Sequence, residues 1–98
     1  MSNPNRPLIV SQNAERDLTQ AFNWYESQSL GLGDEFLAEV RAIIQIITRF
    51  PEMYAVSYRN VRRAGTPRFP YVVYYYTTST RTEILGVMHA SRSPNSWP

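Results

Sequence analysis

A single histidine, His89, and ten arginines with no lysine give this chain of 98 residues most of its chemical reach. An imidazole can take up and release a proton near neutral pH. A guanidinium stays protonated, offers a planar fork of donors to phosphate, and can stabilise charge on a pentavalent phosphorus. Arg59, Arg62, Arg63 and Arg68 fall within ten positions that contain no acid. If residues 68–76 and 81–89 form a hairpin about Thr77-Thr78-Ser79-Thr80, Arg68 lies opposite His89, with their Cβ atoms about 5 Å apart. Arg62 and Arg63 then come from the neighbouring strand. A cation beside an imidazole is a set that transesterification by an RNA 2′-OH can use. His89, Arg68 and Arg62 are therefore candidate catalytic residues. Arg63, Arg92, Arg81 and Tyr74 are candidate contacts to a nucleic acid or another target. Taken singly, His89 reads equally as a strand end bonded to backbone, and each arginine as a solvated charge. Only their convergence separates the two.

Several other chemistries are excluded. With no cysteine there is no disulfide, no thiolate nucleophile and no Cys-based zinc site. One histidine without cysteine makes no zinc site, and no dense acidic cluster suggests a metal cage, so neither metal nor cofactor is expected. Gly31-Leu32-Gly33 fails as a dinucleotide fingerprint, because Phe36 stands where the third glycine belongs. No P-loop, G-x-S-x-G or H-E-x-x-H occurs. A chain of this length buries roughly 65% of its unfolded surface, enough for one core. One domain over residues 1–98 is expected, with a flexible lead-in at 1–7 and a loop tail at 90–98. No apolar run is long enough to span a membrane, and no secretory leader is evident at the N-terminus.

Charge is unevenly spread. Residues 1–49 hold four arginines against six acids, a balance of −2; residues 50–98 hold six arginines against Glu52 and Glu83, a balance of +4. A basic C-terminal half suits a polyanion or an acidic peptide, although scattered surface charge would look similar.

The elements that must position these groups can be read from periodicity. Leu8-Ile9-Val10 reads as an opening strand. Ser11 or Asn13 can cap the helix that follows, whose apolar residues fall at 14, 18, 21, 22 and 25. Leu30-Gly31-Leu32-Gly33 breaks it. Asp34 helps start a second helix carrying Phe36, Leu37, Val40, Ile43, Ile44 and Ile47, with Arg49 in its last turn and Pro51 ending it. So short a connection makes an antiparallel helical hairpin. The period then changes to that of strands, over residues 61–64, 68–76 and 81–89. The order β–α–α–β–β–β predicts an α+β fold, a small and mainly antiparallel sheet with the helical hairpin on one face. In the aromatic strand Tyr71 and Tyr75 share a parity with Phe69 and Val73, whereas Tyr74 and Tyr76 share one with Arg68 and Val72. One of these sets faces the helices; the pattern alone does not say which. Ile84, Leu85 and Met88 read as core.

The motifs Ala14-x-x-Asp17-Leu18, Trp24-Tyr25, Gly33-x-x-Phe36, Phe50-Pro51, Val61-Arg62-Arg63, Arg68-Phe69-Pro70-Tyr71 and Val87-Met88-His89-x-x-Arg92-x-Pro94-x-x-Trp97 stand in this order. In that order and spacing, over about residues 8–97, the chain resembles toxins of the RelE/ParE superfamily of type II toxin–antitoxin modules. It looks most like the ParE-like, plasmid-stabilisation branch. The resemblance implies a cytoplasmic bacterial or archaeal toxin, held inactive in a hetero-oligomer with a cognate antitoxin. Two targets are implied by the two branches: DNA gyrase, inhibited without catalysis, or mRNA in the ribosome, cleaved by a metal-independent endoribonuclease. In the nuclease branch Arg68 matches an arginine opening the third strand, Arg62 or Arg63 lies in the strand before, and His89 ends the last. The chain departs from RelE in having no catalytic lysine and no tyrosine directly after His89, which favours the gyrase branch. A degenerate toxin that only binds antitoxin is a third possibility.

Overall fold

The structure is a computed structural model and describes residues 6–91. Arg92 and most of the expected tail, like residues 1–5 of the lead-in, lie outside the described residues.

Strand β1 (Leu8–Val10) leads into helix α1 (Gln12–Gln28). Ser11 supplies the cap. Its Oγ accepts from the Ala14 N–H at 3.1 Å and donates to the Leu85 carbonyl at 3.0 Å, so one hydroxyl starts α1 and ties it to the last strand. The buried positions Ala14, Ala21 and Tyr25 repeat at helical spacing. Helix α2 (Leu32–Arg49) follows a three-residue turn. Gly31 precedes it at φ +89°, a left-handed conformation that side chains other than glycine rarely adopt. The Glu26 carboxylate accepts from the N–H groups of Gly31 and Gly33, both at 2.9 Å, and closes the turn. Asp34 and Glu35 in the first turn and Arg49 in the last complement the helix dipole, as the charge pattern predicts.

Strands β2 (Val56–Tyr58), β3 (Val61–Gly65), β4 (Tyr71–Thr77) and β5 (Thr82–His89) complete one five-stranded sheet in the order β1-β5-β4-β3-β2. All pairings are antiparallel except that of β1 with β5. The α+β fold read from the sequence is the one observed, with β2 added. That strand is short and exposed along its length, so it carries no alternation of buried and open residues.

The helices select the first tyrosine set. Val73 and Tyr75, with Ala64, Ile84 and Val87, face Phe36, Val40, Ile43 and Ile47 of α2 and Ala14, Ala21 and Tyr25 of α1. Phe36 and Ile47 are fully buried, and each such side chain contributes about 2–3 kcal/mol of apolar transfer. An aromatic group joins the layers: Tyr25 and Phe69 meet edge-on at 4.8 Å, and Phe36 and Tyr71 at 5.0 Å. Tyr74 is also buried, but with Val61, Val72 and Met88 in a second, smaller cluster, flanked by Leu85.

Candidate functional site

Register decides whether the sequence candidates meet. The β4–β5 loop spans residues 78–81, one position later than expected, closed by the Thr78 N–H donating to the Arg81 carbonyl at 2.8 Å. A bulge follows: Tyr74 pairs with Gly86 and Tyr75 with Ile84, leaving Leu85 as the extra residue. Both shifts displace the far end of the hairpin. His89 therefore lies opposite Tyr71, not Arg68. The expected cross-strand pair of Arg68 and His89 is not formed, and β4 begins three residues after Arg68, beyond Pro70.

Arg68 is held elsewhere. Glu39 on α2 accepts from the Arg68 backbone N–H at 2.7 Å, from its Nε at 3.0 Å and from the Phe69 N–H at 3.2 Å. Glu35 adds a contact to the same guanidinium at 3.4 Å. Burial acts to raise the Glu39 carboxyl, but these bonds outweigh it and hold the group below the usual carboxylate range. The hydrogen bond to Glu39 in turn raises Arg68. This is a clamp between α2 and the approach to β4.

Arg62 is committed as well. It sits opposite Tyr75 on the helix side of the sheet and donates from one terminal nitrogen to the carbonyls of Tyr54 at 2.7 Å and Glu52 at 3.1 Å. It organises the chain between α2 and β2. Beneath it the Tyr75 hydroxyl donates to the Pro51 carbonyl at 2.8 Å. Burial pushes this phenol up to about 12, against the opposing pull of Arg62.

His89 closes β5 on the helix side. Its ring lies 5.5 Å from that of Tyr71, and with Trp24, Tyr25, Pro70 and Ser91 it lines a cleft of about 540 Å³. The Ser91 N–H donates to His89 Nδ1 at 3.1 Å, so that nitrogen carries its lone pair. The Ser91 hydroxyl lies 2.9 Å from the same nitrogen. The proton of a neutral ring is thereby assigned to Nε2. Among the described residues the imidazole's neighbours in this cleft are mainly aromatic, Trp24, Tyr25 and Tyr71.

The remaining candidates occupy other parts of the surface. Arg81 donates to the Tyr76 hydroxyl at 2.6 Å and lies 3.7 Å from Glu83, while Tyr76 donates to Glu83 at 3.0 Å. The bond to Tyr76 raises Arg81. Arg63 pairs with Tyr74 on the sheet face away from the helices and is exposed. Tyr74 itself is only 2% exposed, which leaves little of its ring to stack on a base. His89, Arg68 and Arg62 thus have three separate sets of partners among the described residues. Among the described residues no three His, Cys, Asp or Glu gather as metal ligands, and no helix is long and apolar enough to cross a membrane.

Sequence reasoning missed Arg6, Glu39 and Trp24. Arg6 was placed in a flexible lead-in, yet it bonds Thr77 Oγ1 at 2.8 Å and meets Glu52 at 3.4 Å. Glu39 is one of six acids in the first 49 residues, and nothing in the sequence pattern sets it apart. Trp24 fell on the outer face of α1, where an aromatic at 58% exposure is itself a signal.

Comparison with known proteins agrees with the fold. No curated protein matches the chain. A solved structure described as a chromosomal ParDE TA system from P. aeruginosa superposes with a TM-score of 0.78 at 13% identity, covering 89% of this chain and 98% of that one. At that identity the likeness speaks for the fold alone. The family model for the ParE toxin of the type II toxin–antitoxin system parDE matches residues 8–94. A match over nearly the whole chain settles the family: this protein belongs to the ParE toxins and is the toxin component of a type II toxin–antitoxin module.

Proposed function

We propose that the protein arrests growth by binding and inhibiting DNA gyrase in the cytoplasm, and that its cognate antitoxin relieves the inhibition by forming a hetero-oligomer with it. The observation that carries this reading is the dispersal of the nuclease candidates. In-line cleavage of RNA needs a proton carrier and cations within hydrogen-bond reach of one phosphate. Here Arg68 is clamped by Glu39, Arg62 is spent on backbone carbonyls, and His89 sits among aromatic rings. Membership of the ParE family points the same way, since gyrase inhibition is the role of ParE-like toxins.

The test is induction without antitoxin, followed by two assays on purified protein. Inhibition of gyrase supercoiling, with no cleavage of mRNA on translating ribosomes, is the expected result. His89→Ala should remain toxic. Ribosome-dependent mRNA cleavage that disappears in His89→Ala would establish the endoribonuclease instead. Normal growth on induction would leave only antitoxin binding.

A further inference from the structure

Along one flank α1 borders a cleft rather than the core. Asp17, Gln20 and Trp24 follow one another at helical spacing, beside the buried positions Ala21 and Tyr25. Tyr71 at the start of β4 and His89 at the end of β5 stand across from them. A recess of about 190 Å³ at Asp17 and Gln20 adjoins the space of about 540 Å³ beside Tyr25 and Ser91. Trp24, Tyr71 and His89 line both, so the two form one cleft with its narrow end at Asp17.

The chemistry of this cleft is that of a cation site. Trp24 is 58% exposed and meets Tyr25 edge-on at 5.0 Å. Aromatic faces carry partial negative charge, and indole attracts a cation most strongly. At the narrow end the half-buried Asp17 carboxylate accepts from the Val87 N–H through Oδ2 at 2.9 Å, which fixes it against β5. That bond uses one lone pair and leaves the carboxylate able to receive a guanidinium side-on. Glu35, Glu39, Glu52 and Glu83 each have an arginine within ion-pair distance; among the described residues Asp17 has none. None of the chain's ten arginines is among the described residues that line the cleft.

We infer that the cleft takes one arginine side chain of gyrase, its guanidinium stacked on Trp24 and paired with Asp17, its stem along Tyr71. The inference rests on the gyrase reading above and names a contact for it. An enzyme that handles DNA presents arginines to phosphate. A carboxylate set among aromatic rings offers such a side chain the same bidentate pairing and adds stacking. Lysine fits less well, because a point charge gains little from a planar stack. Nucleic acid fits poorly too: the Asp17 carboxylate repels phosphate, and no described cation lines the cleft to answer it. His89 while neutral supplies a wall and no charge, so His89→Ala should weaken the contact by about threefold or less and leave the protein toxic.

The experiment has two arms. In the first, N-acetyl-arginine methylamide is titrated into the full chain and followed by heteronuclear NMR at the Trp24 indole and the Val87 N–H. Saturable shifts at both are expected. They should be about fivefold weaker or more with the uncharged citrulline analogue of the same shape, and about tenfold weaker in Asp17→Asn, which can still accept from Val87. No shift at either group, or equal shifts with the citrulline analogue, would overturn the cation site. In the second arm purified variants are assayed against gyrase supercoiling. Trp24→Ala and Asp17→Asn should each raise the inhibitory concentration about tenfold or more. Arg41→Gln, an exposed arginine on α2, should change it by about twofold or less. Thermal melts establish that each variant is folded. Parental inhibition by both cleft variants would overturn gyrase as the donor while leaving the gyrase reading intact; a concurrent loss of antitoxin binding would move the arginine to the antitoxin. A parent protein that does not inhibit gyrase would overturn that reading and gyrase as the donor with it, while the first arm still decides whether the cleft binds a cation. Shifts at the Trp24 indole in Arg92→Gln without any probe would assign the cleft to the arginine that follows Ser91 and overturn a partner's side chain as its occupant.

Discussion

Glu39 of α2 and Arg68, at the approach to β4, are joined through both the backbone N–H and the Nε of the arginine, at 2.7 and 3.0 Å. The pairing turns a residue that sequence alone places at a phosphate into a strut between helix and sheet. The folded state holds the Glu39 carboxyl below its ordinary value of 4.5, so the clamp stabilises fully above that pH and is lost as pH falls through the lower folded value. Glu39→Gln should therefore destabilise the protein by about 1–2 kcal/mol at pH 7, a loss of several degrees in Tm. The difference from the parent should shrink in melts at acid pH. A difference that stayed constant with pH would show that the carboxylate charge is not what matters.

Gly33 of α2 packs directly against Phe22 of α1. A Cβ built on Gly33 would lie 2.7 Å from the Phe22 ring and 2.8 Å from the Phe22 carbonyl oxygen. The ring could turn aside; the backbone oxygen could not without moving α1. Gly33→Ala should thus cost about 1–3 kcal/mol despite the better helix propensity of alanine. Gly31→Ala should also destabilise, but through its positive φ, since nothing lies within 4 Å of its added Cβ. Urea unfolding of both variants checks the pair. Combining Gly33→Ala with Phe22→Ala should recover little, because the clash with the carbonyl remains.

Much of this architecture is legible in the sequence because periodicity reports burial directly. Phe36, Val40, Ile43 and Ile47 mark the inner face of α2 by spacing alone, and all four are buried. The glycines mark the hairpin turn. What periodicity does not report is register, which a one-residue bulge at Leu85 alters without any change in composition. The proposed meeting of Arg68 and His89 depended on register and failed there. Strand β2 went unseen for a different reason, since an exposed edge strand has no buried face to set a pattern. Arg59 at positive φ gives no sequence signal either, because the turn type that suggests it usually announces itself through glycine.

Tyr75 couples the sheet to the end of α2 through the Pro51 carbonyl, and its burial has a measurable consequence at high pH. The phenol ionises near its ordinary value of 10.0 in the unfolded chain but only at about 12 in the folded one. Stability from keeping it neutral is complete below pH 10 and declines as pH rises through the folded value. The parent should lose stability over this alkaline range more steeply than Tyr75→Phe. At neutral pH Tyr75→Phe should cost about 1 kcal/mol for the lost hydrogen bond to Pro51. Denaturant titrations at neutral and alkaline pH test both statements, and parallel curves for the two proteins would refute the coupling.

Arg6 is the one described side chain with a buried nitrogen, Nε, that has no hydrogen-bond partner. Its side chain is 12% exposed, with one terminal nitrogen on Thr77 Oγ1 at 2.8 Å and the other near Glu52 at 3.4 Å. Thr77 also shares a 2.9 Å hydrogen bond with buried Thr82, at the end of the β4–β5 hairpin. A buried cation with an unsatisfied donor carries a desolvation cost that its packing must offset. Arg6→Ala removes the packing and should destabilise by about 1–3 kcal/mol. Arg6→Met keeps most of the apolar stem and removes the unsatisfied Nε, so it should be neutral or mildly stabilising. Equal losses in Arg6→Ala and Arg6→Met would instead assign the value of Arg6 to its hydrogen bonds with Thr77 and Glu52.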